Sequence, residues 1–374
     1  MFGHASTYFL FVPVIISFLC VLYYRTLKDM GIDENTGLIS TAVLFCGTFL
    51  LSYSTGMFSE PLSSLLILIS FYYFLKAQSG DYVRNNRKNF LCVSLLILNN
   101  FVFLLYAGLM VAYVFWASWV RRNNRAEAWK LALEGSLFIG VSVTLFLFYN
   151  YLRYGYFLNF GYEGEGFTGN WLVGMYGLLF SFGKGLVIFS PLTVLCILYF
   201  MFKNQEMESL PKYYFLTVLI SFACYLLVYS KWDMWFGGLC WGPRFLLPFV
   251  PLIHLMFPWL WKSLTSSNKV LKGGVFLVMG WAVGMNFLHY MDPSAVFKEG
   301  NLAAGQTYEQ KLFIPQESII FKIWETGNVT PNLVLFLAIL GLCVLLLWFW
   351  KKGISAKLTG SQSSSNEASG NFRP

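Results

Sequence analysis

The sequence predicts an all-α protein that crosses a membrane many times, and three observations support this fold class. Of the 374 residues, 57% are hydrophobic and only 12% are charged, whereas a soluble domain is typically about 25% charged. The mean hydropathy is +0.59. The apolar residues are also gathered into runs long enough to cross about 30 Å of hydrocarbon as helices.

Nine of these runs each have the length of one membrane span. They lie near residues 8–24, 38–54, 58–75, 130–150, 185–202, 213–229, 245–261, 273–289 and 333–350. A tenth run, 90–120, is too long for one span and has basic pairs before and after it. It is predicted to be a short helical pair whose turn lies either at Asn99-Asn100 or at Tyr106-Ala107-Gly108. The total is about eleven transmembrane or re-entrant helices.

These helices are predicted to form one domain, residues 1–359. The Gly-, Ser- and Asn-rich segment 360–374 is predicted to be a disordered cytoplasmic tail.

The distribution of basic residues predicts the orientation, because cytoplasmic loops retain Lys and Arg. Placing the loop 25–37 inside puts most of the 26 basic residues on the cytoplasmic side. The N-terminus then lies outside and the C-terminus inside. This asymmetry explains the net charge of +8 without a nucleic-acid partner. The outer side receives the turn 54–60 and the loops 151–184, 230–244 and 290–332.

Cysteine and histidine do not indicate a metal site or a disulfide framework. The seven Cys are scattered, with no Cys-x-x-Cys motif, and only three His occur. Buried free Cys behaves as a small apolar residue. We therefore expect no cofactor from these residues, and metal dependence stays open.

The segment 231–244 joins two apolar runs and is unusually rich in functional residue types. An aromatic belt with a basic anchor would account for its tryptophans, but it does not account for Gly237-Gly238 or for the sequence Gly242-Pro243-Arg244. An Arg fixed by Gly-Pro at the end of a span is suited to bidentate binding of a phosphate. The candidate site residues here are Trp232, Asp233, Trp235, Trp241 and Arg244.

Two other outer positions have both a structural and a functional interpretation. Glu60 precedes Pro61 at the start of a span, where an acid favours the positive end of the helix; it is also a candidate general base. Lys184 lies between two glycines, which allow a ligand to approach the backbone closely; alternatively it extends to the interface from a helix end. Part of the loop 151–184 is predicted to form an amphipathic helix at the interface.

Several motifs occur in an order that resembles a known family. They are Asn150-Tyr-Leu-Arg-Tyr-Gly155, Gly161-Tyr162, Gly183-Lys-Gly-Leu-Val-Ile-Phe-Ser-Pro191, the stretch from Tyr229 to Pro248, and Gly47 to Pro61. Across roughly residues 10–260 they resemble bacterial polytopic glycosyltransferases of the GT-C fold. The similarity is nearest to the branch related to dolichyl-phosphate-mannose protein mannosyltransferases.

The resemblance implies a GT-C-like enzyme of the bacterial inner membrane that uses a polyprenyl-phosphate-linked sugar donor. The acceptor would be a protein, glycan or lipid, and membrane lipid would surround the chain. A carboxylate, Asp233 or Glu60, would act as base on the acceptor hydroxyl. The donor would be bound by Asn150, Tyr162, Lys184, Trp232, Trp235, Trp241 and Arg244. We expect residues 231–244, Lys184 and Tyr162 to converge on one outer cavity.

The sequence departs from the family at its start. The resemblance implies an outward-running first helix and a large outer loop bearing the principal acid, and neither precedes the first span here. We therefore expect that an N-terminal module is missing. The alternative function is a non-enzymatic transporter or binding protein for lipid-linked sugars. A transporter would carry ionisable residues at mid-membrane, and the predicted spans contain almost none there.

Overall fold

The structure is a computed structural model, and it describes residues 5–56, 58–159, 161, 164–203, 209–265, 269–291 and 307–326. All regular structure in these residues is helical. The α-helices in chain order are α1 Ala5–Asp29, α2 Glu34–Cys46, α3 Glu60–Ser79, α4 Tyr82–Asn99, α5 Leu104–Trp116, α6 Arg125–Tyr154, α7 Trp171–Phe180, α8 Leu186–Phe189, α9 Pro191–Lys203, α10 Ser209–Lys231, α11 Val250–His254, α12 Phe257–Thr265, α13 Lys269–Met291, α14 Tyr308–Lys311 and α15 Ile319–Thr326.

The chain is a multi-pass membrane protein. Within the described residues, six helical stretches are long and apolar enough to cross a bilayer: Phe11–Asp29, Glu60–Ser79, Phe101–Arg121, Arg125–Tyr154, Lys212–Lys231 and Lys269–His289. The pair Arg244–His254 and Phe257–Leu264, bent by 59°, adds a seventh if it is counted as one span. The predicted count of eleven is not confirmed.

Two of the predicted spans form shorter helices, and only the α5 part of the run 90–120 is among the span-length apolar stretches. Residues 38–54 contain most of the 13-residue α2, followed by turns and a 3₁₀ helix, Ser52–Thr55. Residues 185–202 form the four-residue α8 and the 13-residue α9. At about 1.5 Å per residue, 13 residues reach only about 20 Å. The predicted span 333–350 and the predicted tail 360–374 lie outside the described residues.

The long apolar run 90–120 forms the predicted helical pair. Helices α4 and α5 are joined by a short 3₁₀ turn, Phe101–Phe103. The Asn100 side chain caps this turn by accepting a hydrogen bond from the Val102 backbone N–H at 3.1 Å. The turn therefore lies at Asn99-Asn100, and the second predicted location falls inside α5.

Helix α3 lies in the middle of the core. It contacts α1, α4 and the 3₁₀ segment Arg244–Phe249, and Phe71 and Phe74 from α3 are almost fully buried against Tyr214 of α10. In contrast, α6 exposes a row of apolar side chains that includes Leu133 and Leu137, each 68% exposed. In a membrane protein such a row is suited to contact with lipid.

Two ion pairs mark one end of the bundle, where Lys76 contacts Asp29 at 3.0 Å and Arg87 of α4 contacts Glu134 of α6. Helix α3 begins at Glu60, about 30 Å from its other end at 1.5 Å per residue over 20 residues. The opposite end of the bundle therefore carries the predicted site.

Candidate functional site

A cavity of about 600 Å³ lies at the Glu60 end of the bundle. Its volume is within the range of sites that bind small organic ligands, roughly 300–1,000 Å³. The turn before α3, the α4–α5 turn, the end of α6 and the loops after α6 and α10 all contribute to its wall. Its polar and aromatic lining includes Ser59, Asn99, Asn100, Phe101, Phe146, Tyr149, Asn150, Arg153, Glu165, Phe167, Tyr229, Trp232, Arg244 and Phe245.

Arg244 and Glu60 form an ion pair next to this cavity. Arg244 Nε lies 3.4 Å from Glu60 Oε1, and the Glu60 side chain is only 9% exposed. The guanidinium also lies over the rings of Phe58 and Phe245, at 5.4 and 4.8 Å from their centroids. Arg244 lines the cavity. The structure therefore brings together the residue predicted to bind phosphate, Arg244, and one of the two predicted bases, Glu60.

Gly237 makes room for this arginine. Its φ of +74° is in the left-handed region, and a Cβ built there would lie 2.9 Å from Arg244 Cγ. The next residue, Gly238, has almost the same φ of +76°, but a Cβ there would meet nothing within 4 Å. Both glycines allow the backbone conformation, whereas only Gly237 is also needed for the position of Arg244.

Asp233, the other predicted base, connects two loops. Its carboxylate accepts hydrogen bonds from the Thr168 hydroxyl at 2.5 Å and the Gly166 backbone N–H at 3.0 Å. The Thr168 hydroxyl, followed by backbone N–H groups, holds the pKa of Asp233 below its ordinary value. Both oxygens of Asp233 therefore have partners within the protein, and Asp233, like Glu60, is absent from the residues that line the cavity. Its geometry favours a structural role over that of a base, and its catalytic role stays a prediction.

The three predicted tryptophans have different environments. Trp232 lines the cavity and its indole N–H donates to Glu165 at 3.1 Å. Trp235 is 1% exposed and donates to Glu309 at 2.7 Å. Trp241 is buried between Phe189 and His289, with ring centroids 5.3 and 5.2 Å away. Trp235 and Trp241 are thus packed behind the cavity wall, a distinction that an aromatic-rich sequence does not reveal.

Lys184 is fully buried behind the motif 231–244. Its ammonium group donates to the backbone carbonyl of Cys240 and lies 3.8 Å from the Cys240 sulfur. A Cβ at Gly185 would lie 2.5 Å from the Ser181 carbonyl oxygen, so this glycine permits packing of the chain on itself. Lys184 does not line the cavity; it supports the loop that does. The predicted partner Tyr162 lies outside the described residues.

Asn150 is the predicted site residue on α6, and it lines the cavity although it is only 3% exposed. Next to it, Arg153 lines the cavity and lies over the rings of Tyr149 and Tyr154. Asn99 and Asn100 complete this side of the wall. From the sequence these two residues were predicted only to form a turn, although an Asn pair inside an apolar run is itself a signal of a polar site.

Residues 307–326 also support the site, and no sequence motif predicted this contribution. Besides the Trp235–Glu309 contact, the Gly183 backbone N–H donates to the Leu312 carbonyl at 3.1 Å. Phe236 packs on Tyr308, with ring centroids 4.9 Å apart. The described part of the predicted outer loop 290–332 therefore supports the motif 231–244 from behind.

The site contains both acidic and basic groups, but within the described residues no three His, Cys, Asp or Glu side chains are placed to hold a metal ion. A scan against protein-family models, a search of curated proteins and a search of solved structures each found no match to this chain. The structure itself shows a multi-pass membrane protein, helical throughout the regular structure of its described residues, with a cavity lined by polar and aromatic side chains at one end of its helices.

Proposed function

We propose that this chain is an integral membrane glycosyltransferase that uses a polyprenyl-phosphate-linked sugar as its donor. The observation that carries the proposal is the composition of the cavity. One wall has Arg244 paired with the buried Glu60, another has asparagines and Arg153, and aromatic rings line the space between them. Arginine suits a phosphate, amides suit hydroxyl groups, and apolar rings suit a prenyl chain.

The same proposal includes a finer topology than six or seven spans. We propose a GT-C-like arrangement of about eleven transmembrane or re-entrant helices, with the N-terminus outside and the C-terminus cytoplasmic. The support is the charge distribution, because the basic end around Lys76 and Arg87 would face the cytoplasm. The cavity would then face the outer side, in bacteria the periplasmic side of the inner membrane.

The proposed chemistry is an inverting displacement. The acceptor hydroxyl oxygen forms a bond to the anomeric carbon while the bond from that carbon to the phosphate oxygen breaks, and its electron pair stays on the phosphate. Glu60 takes the proton of the hydroxyl, a role worth about 10²–10⁴-fold in rate. Arg244 stabilises the charge that develops on the departing phosphate.

The ion pair also suggests an order of events. A phosphate bound to Arg244 competes with the Glu60 carboxylate for the same guanidinium, which is 3.4 Å away in the present structure. Arrival of the donor would release Glu60 from its partner. The base would then become available only when the donor is bound.

The alternative is transport or binding of a lipid-linked sugar without chemistry. A transporter site is expected near the middle of the membrane between interrupted helices. This cavity instead adjoins helix ends, namely the start of α3 and the ends of α4, α6 and α10. Its position favours chemistry at the membrane surface.

The test uses membranes containing the full chain or its Glu60→Gln variant, supplied with radiolabelled polyprenyl-phosphate mannose. Transfer of label to a membrane acceptor by the wild type, with near-complete loss in the variant and equal protein levels, supports the enzyme. Movement of intact lipid across the bilayer without transfer supports the transporter. If the wild type neither binds the lipid nor transfers its label, and sugars other than mannose give the same result, the proposal fails.

A further inference from the structure

Three asparagines from two separate parts of the chain meet in the cavity. Asn99 and Asn100 end α4 and begin the turn to α5, whereas Asn150 lies near the end of α6. All three line the same cavity as Arg244. Carboxamides are costly to place at a mostly apolar helix end unless they are hydrogen-bonded, so their hydrogen bonds indicate what this side of the cavity can bind.

The hydrogen bonds within the protein leave part of each carboxamide available. Asn99 donates to the Ser63 hydroxyl at 2.7 Å and the Ser59 carbonyl at 3.3 Å, so its two N–H groups are engaged and its carbonyl oxygen remains an acceptor. Asn100 accepts from Val102 and donates one N–H to the Tyr229 hydroxyl at 3.2 Å, which leaves its second N–H. These side chains thus offer an acceptor and a donor next to each other.

Asn150 is the least satisfied of the three. Within the described residues its hydrogen bond is to the Phe157 carbonyl at 3.5 Å, longer than the usual 2.7–3.2 Å for N–H···O. Its side chain is nevertheless 97% removed from solvent, since the residue is 3% exposed. A buried amide that is poorly bonded within the protein and lines a cavity is suited to a polar group of a ligand.

This amide group is connected to the arginine side of the cavity. The hydroxyl of Tyr229 accepts the Asn100 hydrogen bond, and the Tyr229 ring stacks on Phe245, the residue after Arg244, with ring centroids 4.0 Å apart. A ligand with a phosphate at Arg244 would therefore extend its neighbouring group along this aromatic surface. Adjacent donors and acceptors beside an aromatic face are suited to the hydroxyl groups of a sugar.

We infer that Asn99, Asn100 and Asn150 form the subsite that recognises the hydroxyl groups of a neutral sugar on the lipid phosphate. The inference rests on the proposed function, because it assigns one end of the same ligand. It separates the cavity into two parts: Arg244 binds the phosphate that every polyprenyl-phosphate lipid shares, and the three amides distinguish a glycosylated lipid from a bare one.

The test compares two kinds of probe on the purified full chain in nanodiscs. The probes are bare polyprenyl phosphate and polyprenyl phosphate bearing mannose, glucose or arabinose. The glycosylated lipid that the wild type binds most tightly is then used for the variants. Asn99→Ala, Asn100→Ala and Asn150→Ala are each expected to weaken binding of the glycosylated lipid roughly three- to tenfold, the effect of one hydrogen bond. Binding of bare polyprenyl phosphate should stay the same. Asn35→Ala, at an exposed position on α2, is the control and should change neither.

The possible failures differ from one another. If the wild type binds no probe, the proposed function fails and the inference fails with it. If the wild type binds glycosylated and bare lipid equally, or if the variants lose both lipids to the same extent, the amides do not recognise sugar and only the inference is overturned. Thermal unfolding of the same preparations separates that outcome from misfolding, because a misfolded variant would lose both probes together with its cooperative unfolding transition.

Discussion

The neighbouring glycines Gly237 and Gly238 provide a sharp test of the position of Arg244. Their φ angles, +74° and +76°, are nearly equal, so an alanine at either position costs about 1–2 kcal/mol of backbone strain. The two differ in what the added methyl group meets. At Gly237 it would lie 2.9–3.1 Å from Arg244 Cγ, Cδ and Nε, and at Gly238 it would meet nothing within 4 Å.

We therefore expect Gly237→Ala and Gly238→Ala to lower the thermal stability by similar amounts but to differ in ligand binding. In Gly237→Ala the arginine must move away from Glu60 and from the rings of Phe58 and Phe245. Loss of charge-assisted hydrogen bonds to a phosphate, about 1.5–3 kcal/mol, corresponds to roughly 10- to 100-fold weaker binding of polyprenyl phosphate. Gly238→Ala should bind within about twofold of wild type once its strain is accommodated.

The assay is titration of both variants with bare polyprenyl phosphate in nanodiscs, together with thermal unfolding of the same preparations. Equal affinities in the two variants would refute the role assigned to the Gly237–Arg244 contact. A loss of binding confined to Gly238→Ala would contradict it even more directly, because a methyl group added there meets no protein atom within 4 Å beyond its chain neighbours.

Three further predictions concern the surroundings of the cavity. Arg244→Lys should insert and accumulate normally but lose most binding of the lipid-linked sugar, because an ammonium group keeps the charge without two parallel N–H groups. Full binding by the lysine variant would show that Arg244 is an interface anchor. Gly177→Ala should lower stability by about 1–3 kcal/mol, since its methyl group would lie 2.1 Å from the Trp235 ring, whereas Gly140→Ala, with open space around it, should be neutral or slightly stabilising by thermal unfolding in detergent. The pKa of Asp233 is lowered in the folded protein, so its contribution to stability is present above its unfolded pKa of about 4 and is lost as the pH falls through the lower folded value. Asp233→Asn should remove that part of the acid dependence, and an unchanged unfolding profile between about pH 2 and 5 would argue against the Asp233–Thr168 contact.

The sequence predicted the membrane class and the elements near the cavity better than it predicted the number of spans. Hydropathy and charge depend on single segments, so they located α3, α6 and the α4–α5 pair. They predicted full membrane spans where the shorter helices α2 and α9 lie. An apolar segment that is buried inside a helical bundle has the same composition as one that crosses lipid. The length of the helix, which decides between these cases, depends on turns such as the one after Cys46.

In the candidate site too, the sequence located some residues correctly and could not reveal the position of others. Arg244, Asn150 and Trp232 line the cavity, and Glu60 pairs with Arg244 beside it, as expected of residues at helix ends on one side of the membrane. Lys184 and Trp235 lie in sequence motifs that are equally typical of a site, but their side chains are buried behind the cavity wall. Their burial depends on contacts with Cys240 and Glu309, which are 56 and 74 residues away, and such long-range contacts have no local sequence signal.

The length of α6 has a consequence for how the cavity meets the bilayer. Its 30 residues extend about 45 Å, about 15 Å more than the hydrocarbon thickness of a typical membrane. A helix of this length must tilt or extend beyond the acyl chains, and Asn150 and Arg153 lie at its C-terminal end. Membrane thickness would thus set the depth of the cavity relative to the headgroups. A thinner bilayer would raise it into water, and a thicker one would immerse its polar wall among acyl chains.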